Sequence, residues 1–284
     1  MDEFLKKQAR KLIDIALSED VVGNDITTEL IISRGMKGKG SFVVKTSGVL
    51  AGIEIAGMVF TVVDPSIKFI SLISDGSVLT NGDVLAVVEG NLGSILRAER
   101  VALNFLQRLC GIATLTALYR GVITGCKADI YDTRKTTPGL RDLEKYAVKM
   151  GGGVNHRRDL SAGILIKDNH LAAAASVGQS LADVVKKAKT GAPSGAHIEV
   201  EVETIEQARQ AIAAGASILL LDNMSVRNMR KVVDIAHGKI MLEASGGVTL
   251  DTVRAIAETG VDCISIGALT HSVKALDISL QIKA

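Results

Sequence analysis

Tryptophan is absent from the chain, and phenylalanine and tyrosine bring aromatic residues to only 3% of its 284 positions. Proteins that track single-stranded nucleic acid rely on stacking bases against aromatic rings, so this composition argues against that class of partner. Net charge is nearly absent too, at +2, which leaves no overall positive field to draw in DNA or an anionic membrane. Cysteine is scarce: Cys110, Cys126 and Cys263 are odd in number, widely spaced and form no C-x-x-C pair. They are expected to be reduced thiols with no disulfide or zinc role, as in a cytoplasmic protein. No uncharged apolar run reaches about 18 residues, so no membrane span is expected. The opening "MDEFLKKQARKLIDIALSED" is charged throughout, unlike a secretory signal.

What is present is aliphatic. Hydrophobic residues make up 47%, so the core is built from Ala, Val, Ile and Leu, the material of parallel sheets covered by helices. The length suits one large or two medium domains. Phe4, Leu5, Ala9, Leu12, Ile13, Ala16 and Leu17 recur at spacings of three and four, one face of an amphipathic helix. From about residue 38 to 90, short β-branched runs are punctuated by Asp-Gly, Asn-Gly and Gly-Asp, which predicts antiparallel strands and hairpins. Residues 94 to about 120 return to helical periodicity. The first third therefore reads as an α+β unit.

From about residue 128 the rhythm changes. "IEVEV", "ILLLD", "IMLEAS" and "CISIGA" recur roughly every twenty residues, separated by helical stretches that open near Thr or Ser. Repeats of this length predict parallel strands joined by right-handed crossovers. "ADIYDTR" and "ILIKDN" read as earlier strands, and "GGVNHR" as a further one. Six or seven units favour a closed or nearly closed β/α barrel. No G-x-G-x-x-G follows the first strand, which counts against a dinucleotide-binding sheet.

In such a barrel the chemistry sits at the C-terminal strand ends. Polar residues collect there: Arg134 and Lys135, His156 and Arg157, Lys167, Glu201, Asp222, then the turns "SGGV" (245–248) and "GALTHS" (267–272). Taken singly, most have plainer readings. Arg134 and Lys135 could be solvated loop charges, His156 a structural histidine, and Lys167 one half of an ion pair with Asp168. Glu201 could lie on the wet face of an edge strand, and the glycines could make tight turns of no function. Asp222 differs, because it ends four apolar residues where an unpaired carboxylate is costly. Together, several cations suit a polyanionic substrate, two carboxylates suit Mg²⁺, and glycine turns after the last strands suit a phosphate.

"DTRKTTPGLRDLEKYAVKMGGGVNHR" followed by "LIKDNH" resembles the quinolinate phosphoribosyltransferase family, also called nicotinate-nucleotide pyrophosphorylase (carboxylating). So do "EDVVGNDITTELI", "AERVALNFLQRLCGIAT", "EVEVET", "LLLDNM", "EASGGV" and "IGALTHS". The resemblance spans nearly the whole chain. It implies an N-terminal α/β sandwich domain (1–112, joined by the tail 272–284) and an incomplete, about seven-stranded β/α barrel (113–271). It also implies phosphoribosyl transfer from 5-phosphoribosyl-1-pyrophosphate to quinolinate with decarboxylation, Mg²⁺ as cofactor, and a dimer or larger oligomer.

By motif match, Thr133, Arg134, Lys135, His156, Arg157 and Lys167 would surround quinolinate, with Arg100 supplied by the neighbouring subunit. Lys135, Lys167, Glu201, Asp222, Ser245, Gly246, Gly247, Ile266, Gly267, Ala268 and His271 would hold the phosphoribosyl pyrophosphate. Glu201 and Asp222 would carry the metal, directly or through water, and Lys135, Glu201 and Asp222 would be catalytic. Departures are modest: Ala162 stands where many relatives carry an acid, Arg158-Asp159 where small or apolar residues are common, and Cys110 where Ser is usual. Two other readings compete with this: a paralogue of the same fold with a different acceptor, and a phosphate-ligand binder without catalysis.

Overall fold

A computed structural model describes residues 1–20 and 25–283; residues 21–24, inside "EDVVGNDITTELI", and residue 284 lie outside the described residues. Helices α1 (Glu3–Asp20) and α2 (Ile26–Ile31) precede strands β1 (Lys37–Val44) and β2 (Gly48–Val49), helix α3 (Ile53–Val63), and strands β3 (Lys68–Ser71), β4 (Val78–Leu79) and β5 (Val84–Asn91). The long helix α4 (Leu92–Val122) leads to β6 (Asp129–Tyr131), α5 (Arg141–Met150), β7 (Ile164–Ile166), α6 (Asp168–Ala175) and α7 (Leu181–Gly191). Regular alternation follows: β8 (Ile198–Val202), α8 (Ile205–Ala214), β9 (Ile218–Asp222), α9 (Val226–Ala236), β10 (Met241–Ser245), α10 (Val253–Ala257) and β11 (Cys263–Ser265). Helix α11 (Ala268–His271) and strand β12 (Ile278–Lys283) end the chain.

The chain forms two compact units. The first comprises Met1–Ala117, Lys135–Gly152 and Ala268–Ala284, the second Leu118–Arg134 and Gly153–Gly267. In the first, an antiparallel sheet runs in the order β12-β1-β5-β3, with Phe42 of β1 opposite both Leu280 and Ala86. Phe42, Phe60 and Phe69 meet there with ring centroids 5.7–5.8 Å apart, so three of the five phenylalanines build one cluster. Helix α3 interrupts a region whose short apolar runs predict strands. Its residues Ile53, Ile55, Ala56, Gly57, Val59 and Phe60 are all buried, and periodicity alone does not separate a helix this apolar from a buried strand.

Helix α4 is the one described helix long and apolar enough to cross a bilayer by length and composition, yet 56% of its most apolar window is buried within the protein. Ile95, Ala98, Ala102, Leu106, Cys110, Ile112 and Ala113 have no exposed surface. It is a core helix. All three cysteines are free.

The second unit is a parallel sheet in the order β6-β11-β10-β9-β8-β7. On the outer side of β6, Tyr131 makes a single parallel bridge to Val154. The strands thus follow one another as in a barrel, with the sheet left open between Val154 and β7. The strand expected at "GGVNHR" shrinks to that bridge for a local reason: the His156 backbone N–H, which a longer ladder would use, donates instead to the Asp132 carboxylate at 2.8 Å. Helix α8 starts as its sequence predicts, with Thr204 as N-cap accepting from Gln207 N and Gly215 closing it in the left-handed region at φ 92°. Helix α10 is shorter than expected, because residues 249–252 close on themselves through the Thr249 N–H and Thr252 Oγ1 at 2.9 Å.

Candidate active site

Strand alternation sorts the side chains of β8, β9 and β10. On β8, Glu199 and Glu201 share one face while Ile198, Val200 and Val202 pack on the other, all three buried. β8 pairs with β7 on one side and β9 on the other, so the alternating acids do not form the wet face of an edge strand. Register then aligns the strand ends: Glu201 lies beside Leu220, and Asp222 beside Ser245. Burial raises the proton affinity of the half-buried Glu201, the negative charge of Asp222 raises it further, and Lys167 opposes both. Asp222 accepts a hydrogen bond from the Asn223 amide at 2.7 Å. Lys167, Glu201 and Asp222, predicted from separate motifs, therefore interact within the second unit.

The cations are organised by a residue that strand-end reading missed. Asp132 is fully buried and accepts from the Asn155 amide at 2.6 Å and the His156 N–H at 2.8 Å. It ties the end of β6, which carries Thr133 and Arg134, to the loop carrying Arg157. Arg157 Nη1 donates to the Gly163 carbonyl at 3.0 Å. Burial lowers its affinity for its proton, and the nearby positive charge of Arg134 adds to that. Two guanidinium groups this near each other have donors that could receive an anion.

His156 faces two further acids. Its Nε2 lies 3.3 Å from Glu243 and 3.5 Å from Glu199, both buried, while Nδ1 accepts the Arg157 N–H at 2.8 Å. Burial acts to lower the imidazole pKa, but hydrogen bonds to Glu199 and Glu243 and their charges prevail and push it up to about 10. A doubly protonated ring gives up the Arg157 contact. One such bond is worth less than the attraction of two buried anions, so the charged form is favoured. Glu243 stands in the middle of an apolar run on β10. The cost argument that singles out Asp222 applies to it equally and identifies it from sequence.

Backbone geometry shapes the turns after β9 and β10. Asn223 has φ 51°, and its N–H donates to the Ser245 carbonyl at 2.9 Å. Gly246 has φ 93°, and a Cβ there would overlap Asn223 Oδ1 and lie 2.8 Å from the Asn223 nitrogen. Glycine is obligatory at this approach. Gly247 follows at φ 58°. After β11, the Ile266 N–H donates to the Tyr131 carbonyl at 3.0 Å, leading to Gly267. Lys135, Ala268 and His271 belong to the first unit; Lys135 and His271 are exposed, and Ala268 is half-buried. Arg100 is an exposed residue of α4 in that unit.

Two donor sets could hold a cation. Glu201 and Asp222 offer only oxygen, and the repulsion that raises Glu201 is what a divalent ion would relieve, so the pair fits Mg²⁺. His156, Glu199 and Glu243 bring their ligand atoms within 4.8 Å of one another, a mixed nitrogen–oxygen set suited to a transition metal. There the imidazolium already neutralises part of the carboxylate charge.

Comparisons with known proteins identify the family of the fold. Residues 25–110 match the model of the quinolinate phosphoribosyl transferase N-terminal domain, and residues 112–281 that of its C-terminal domain. The chain belongs to the quinolinate phosphoribosyltransferase family. It is 43% identical to a probable nicotinate-nucleotide pyrophosphorylase (carboxylating) of Bacillus subtilis (strain 168), over 97% of this chain and 93% of that one. It is 42% identical to a mitochondrial quinolinate phosphoribosyltransferase (decarboxylating) of Nicotiana glauca, over 96% of this chain and 82% of the relative. The solved nicotinate-nucleotide pyrophosphorylase of Francisella tularensis superposes with a TM-score of 0.92 at 39% identity, covering 98% of this chain and 96% of that structure. Membership accounts for the antiparallel sheet of the first unit and the open parallel sheet of the second.

Proposed function

We propose that the chain transfers the phosphoribosyl group of 5-phosphoribosyl-1-pyrophosphate to quinolinate and releases CO₂, giving nicotinate mononucleotide and pyrophosphate for NAD biosynthesis. The observation that carries this reading is the family match along both segments, joined to the meeting of Lys167, Glu201 and Asp222 at neighbouring strand ends.

Arg134 and Arg157 take the carboxylates of quinolinate, where forked guanidinium donors match planar anions. Thr133, Lys167 and His156 complete that surface, His156 as an imidazolium held in place by Glu199 and Glu243. Arg100 comes from a neighbouring subunit of a homo-oligomer. Lys135, next in the chain to Arg134, draws the leaving pyrophosphate. Ser245, Gly246, Gly247, Ile266, Gly267, Ala268 and His271 bind the 5′-phosphate.

Glu201 and Asp222 stabilise positive charge as it develops on the ribose anomeric carbon. Mg²⁺ held by these two, directly or through water, supplies charge neutralisation for the pyrophosphate. The pyridine nitrogen is a weak nucleophile, so fixing its approach matters; well-oriented reactants gain on the order of 7–11 kcal/mol. Once alkylated, the ring is positive beside its 2-carboxylate, CO₂ departs, the electron pair left on carbon is stabilised by the adjacent charge, and that carbon then takes a proton from water to give nicotinate mononucleotide. The same reading divides the chain into 1–112 and 113–271, with 272–284 returning to the first part; β12 pairing with β1 supports the return.

Incubation with quinolinate, 5-phosphoribosyl-1-pyrophosphate and Mg²⁺ should release one CO₂ per nicotinate mononucleotide formed. Turnover of another acceptor without CO₂ release would overturn the assignment.

A further inference from the structure

Arg108 of α4 and Glu144 of α5 form an ion pair within the first unit, with Arg108 Nη2 at 2.7 Å from Glu144 Oε1. Glu144 is fully buried. Burying such a pair yields little net stability over an apolar replacement, because desolvating both charges offsets their attraction. What the pair holds is more informative. Arg108 Nη2 also donates to Thr137 Oγ1 at 2.9 Å and to the Thr270 carbonyl at 2.6 Å. Glu144 Oε2 accepts the Thr137 backbone N–H at 3.0 Å. Thr270 Oγ1 in turn donates to the Lys135 carbonyl at 2.8 Å. One guanidinium and one carboxylate thus fasten two segments together, the loop from Lys135 to Thr137 and helix α11 with Ala268 and His271.

We propose that Arg108 and Glu144 are positioning residues for phosphoribosyl transfer, clasping the Lys135 loop to helix α11. The loop between Tyr131 and Arg141 has no strand or helix of its own, so its path is set by such contacts. Thr137 is held through both its hydroxyl and its N–H, and Lys135 through its carbonyl, which fixes the backbone from which the ammonium reaches. A misplacement of about 1 Å costs on the order of 100-fold in rate. The inference rests on the role proposed above for Lys135. A lysine at position 108 would keep the charge opposite Glu144 but could not serve Glu144, Thr137 and Thr270 with one fork.

The test uses Arg108→Lys and the pair Thr270→Val and Thr270→Ser. Thermal unfolding, the dissociation constant for quinolinate alone, and kcat and KM for 5-phosphoribosyl-1-pyrophosphate are measured for each. Arg108→Lys and Thr270→Val should lower kcat/KM for the activated ribose tenfold or more, with quinolinate affinity within twofold of the unaltered protein. Thr270→Ser, which restores the hydroxyl, should recover most of the loss. Unimpaired kinetics in the first two variants, or a Thr270→Ser variant as damaged as Thr270→Val, would overturn the clasp. Should Arg108→Lys fail to fold, the Thr270 pair still decides. Absence of turnover by the unaltered protein would strike the functional reading instead.

Discussion

Replacing Gly246 by alanine tests the turn proposed to hold the 5′-phosphate, and Gly247→Ala supplies an internal control. Both positions have positive φ, 93° and 58°, so each alanine carries a backbone cost of about 1–2 kcal/mol. Their surroundings differ. At Gly247 the nearest atom to a new Cβ is Asn223 Oδ1 at 3.9 Å, whereas at Gly246 that atom is overlapped and the Asn223 nitrogen stands at 2.8 Å. The Asn223 side chain can swing away, but its nitrogen moves only by breaking the 2.9 Å bond to the Ser245 carbonyl. That loss is about 1 kcal/mol, and forced repacking adds about 1–3 kcal/mol. Gly246→Ala should therefore cost about 3–6 kcal/mol against about 1–2 kcal/mol for Gly247→Ala. In thermal unfolding this is a fall of roughly 6–24 °C against roughly 2–8 °C. KM for 5-phosphoribosyl-1-pyrophosphate should rise far more for Gly246→Ala, because Ser245 and Asn223 shift with the turn. Equal melting temperatures for the two variants would refute the steric argument.

Other expectations concern charge and assembly. His156, raised to about 10 from 6.5, contributes stability that is complete below pH about 6.5 and fades as pH rises toward 10. Glu243→Gln should bring its titration down, read from the imidazole resonances in NMR; an unmoved titration would contradict the pairing. Lys135→Ala should reduce kcat by 100-fold or more with little change in quinolinate affinity, and loss confined to quinolinate binding would refute its role. Arg100→Ala should be inactive alone and regain activity when mixed with Lys135→Ala under subunit exchange; no recovery would argue against shared sites. Chelation should abolish turnover while leaving the unfolding temperature nearly unchanged, and Mg²⁺ should restore it; turnover that survives chelation would exclude the metal role of Glu201 and Asp222.

The strand–helix repeat from residue 128 onward is legible because each unit carries its own signals: a short aliphatic run, then a helical stretch opening near Ser or Thr, two of them closed by a glycine. Thr204 and Gly215 perform those roles around α8. Asp222 stood out for the same kind of reason, as a carboxylate ending an apolar run. Helix α3 escaped because only Glu54 and Thr61 interrupt its apolar run, too few to mark a helical period. Glu199 is not marked out within "EVEVE", since nothing in that stretch reports which strands lie on either side of it.

Local pattern alone determined that this chain folds as parallel strand–helix units with cations and acids at the strand ends, because periodicity, caps and the cost of a stranded charge are written within a few residues. Only tertiary packing decided that Glu199 and Glu243 meet His156, that Asp132 anchors the loop of Arg157, and that Arg108 joins residues 137, 144 and 270. Those partners lie tens to more than a hundred residues apart. What a buried charge faces is set by strand register and helix packing, which no short stretch of sequence contains.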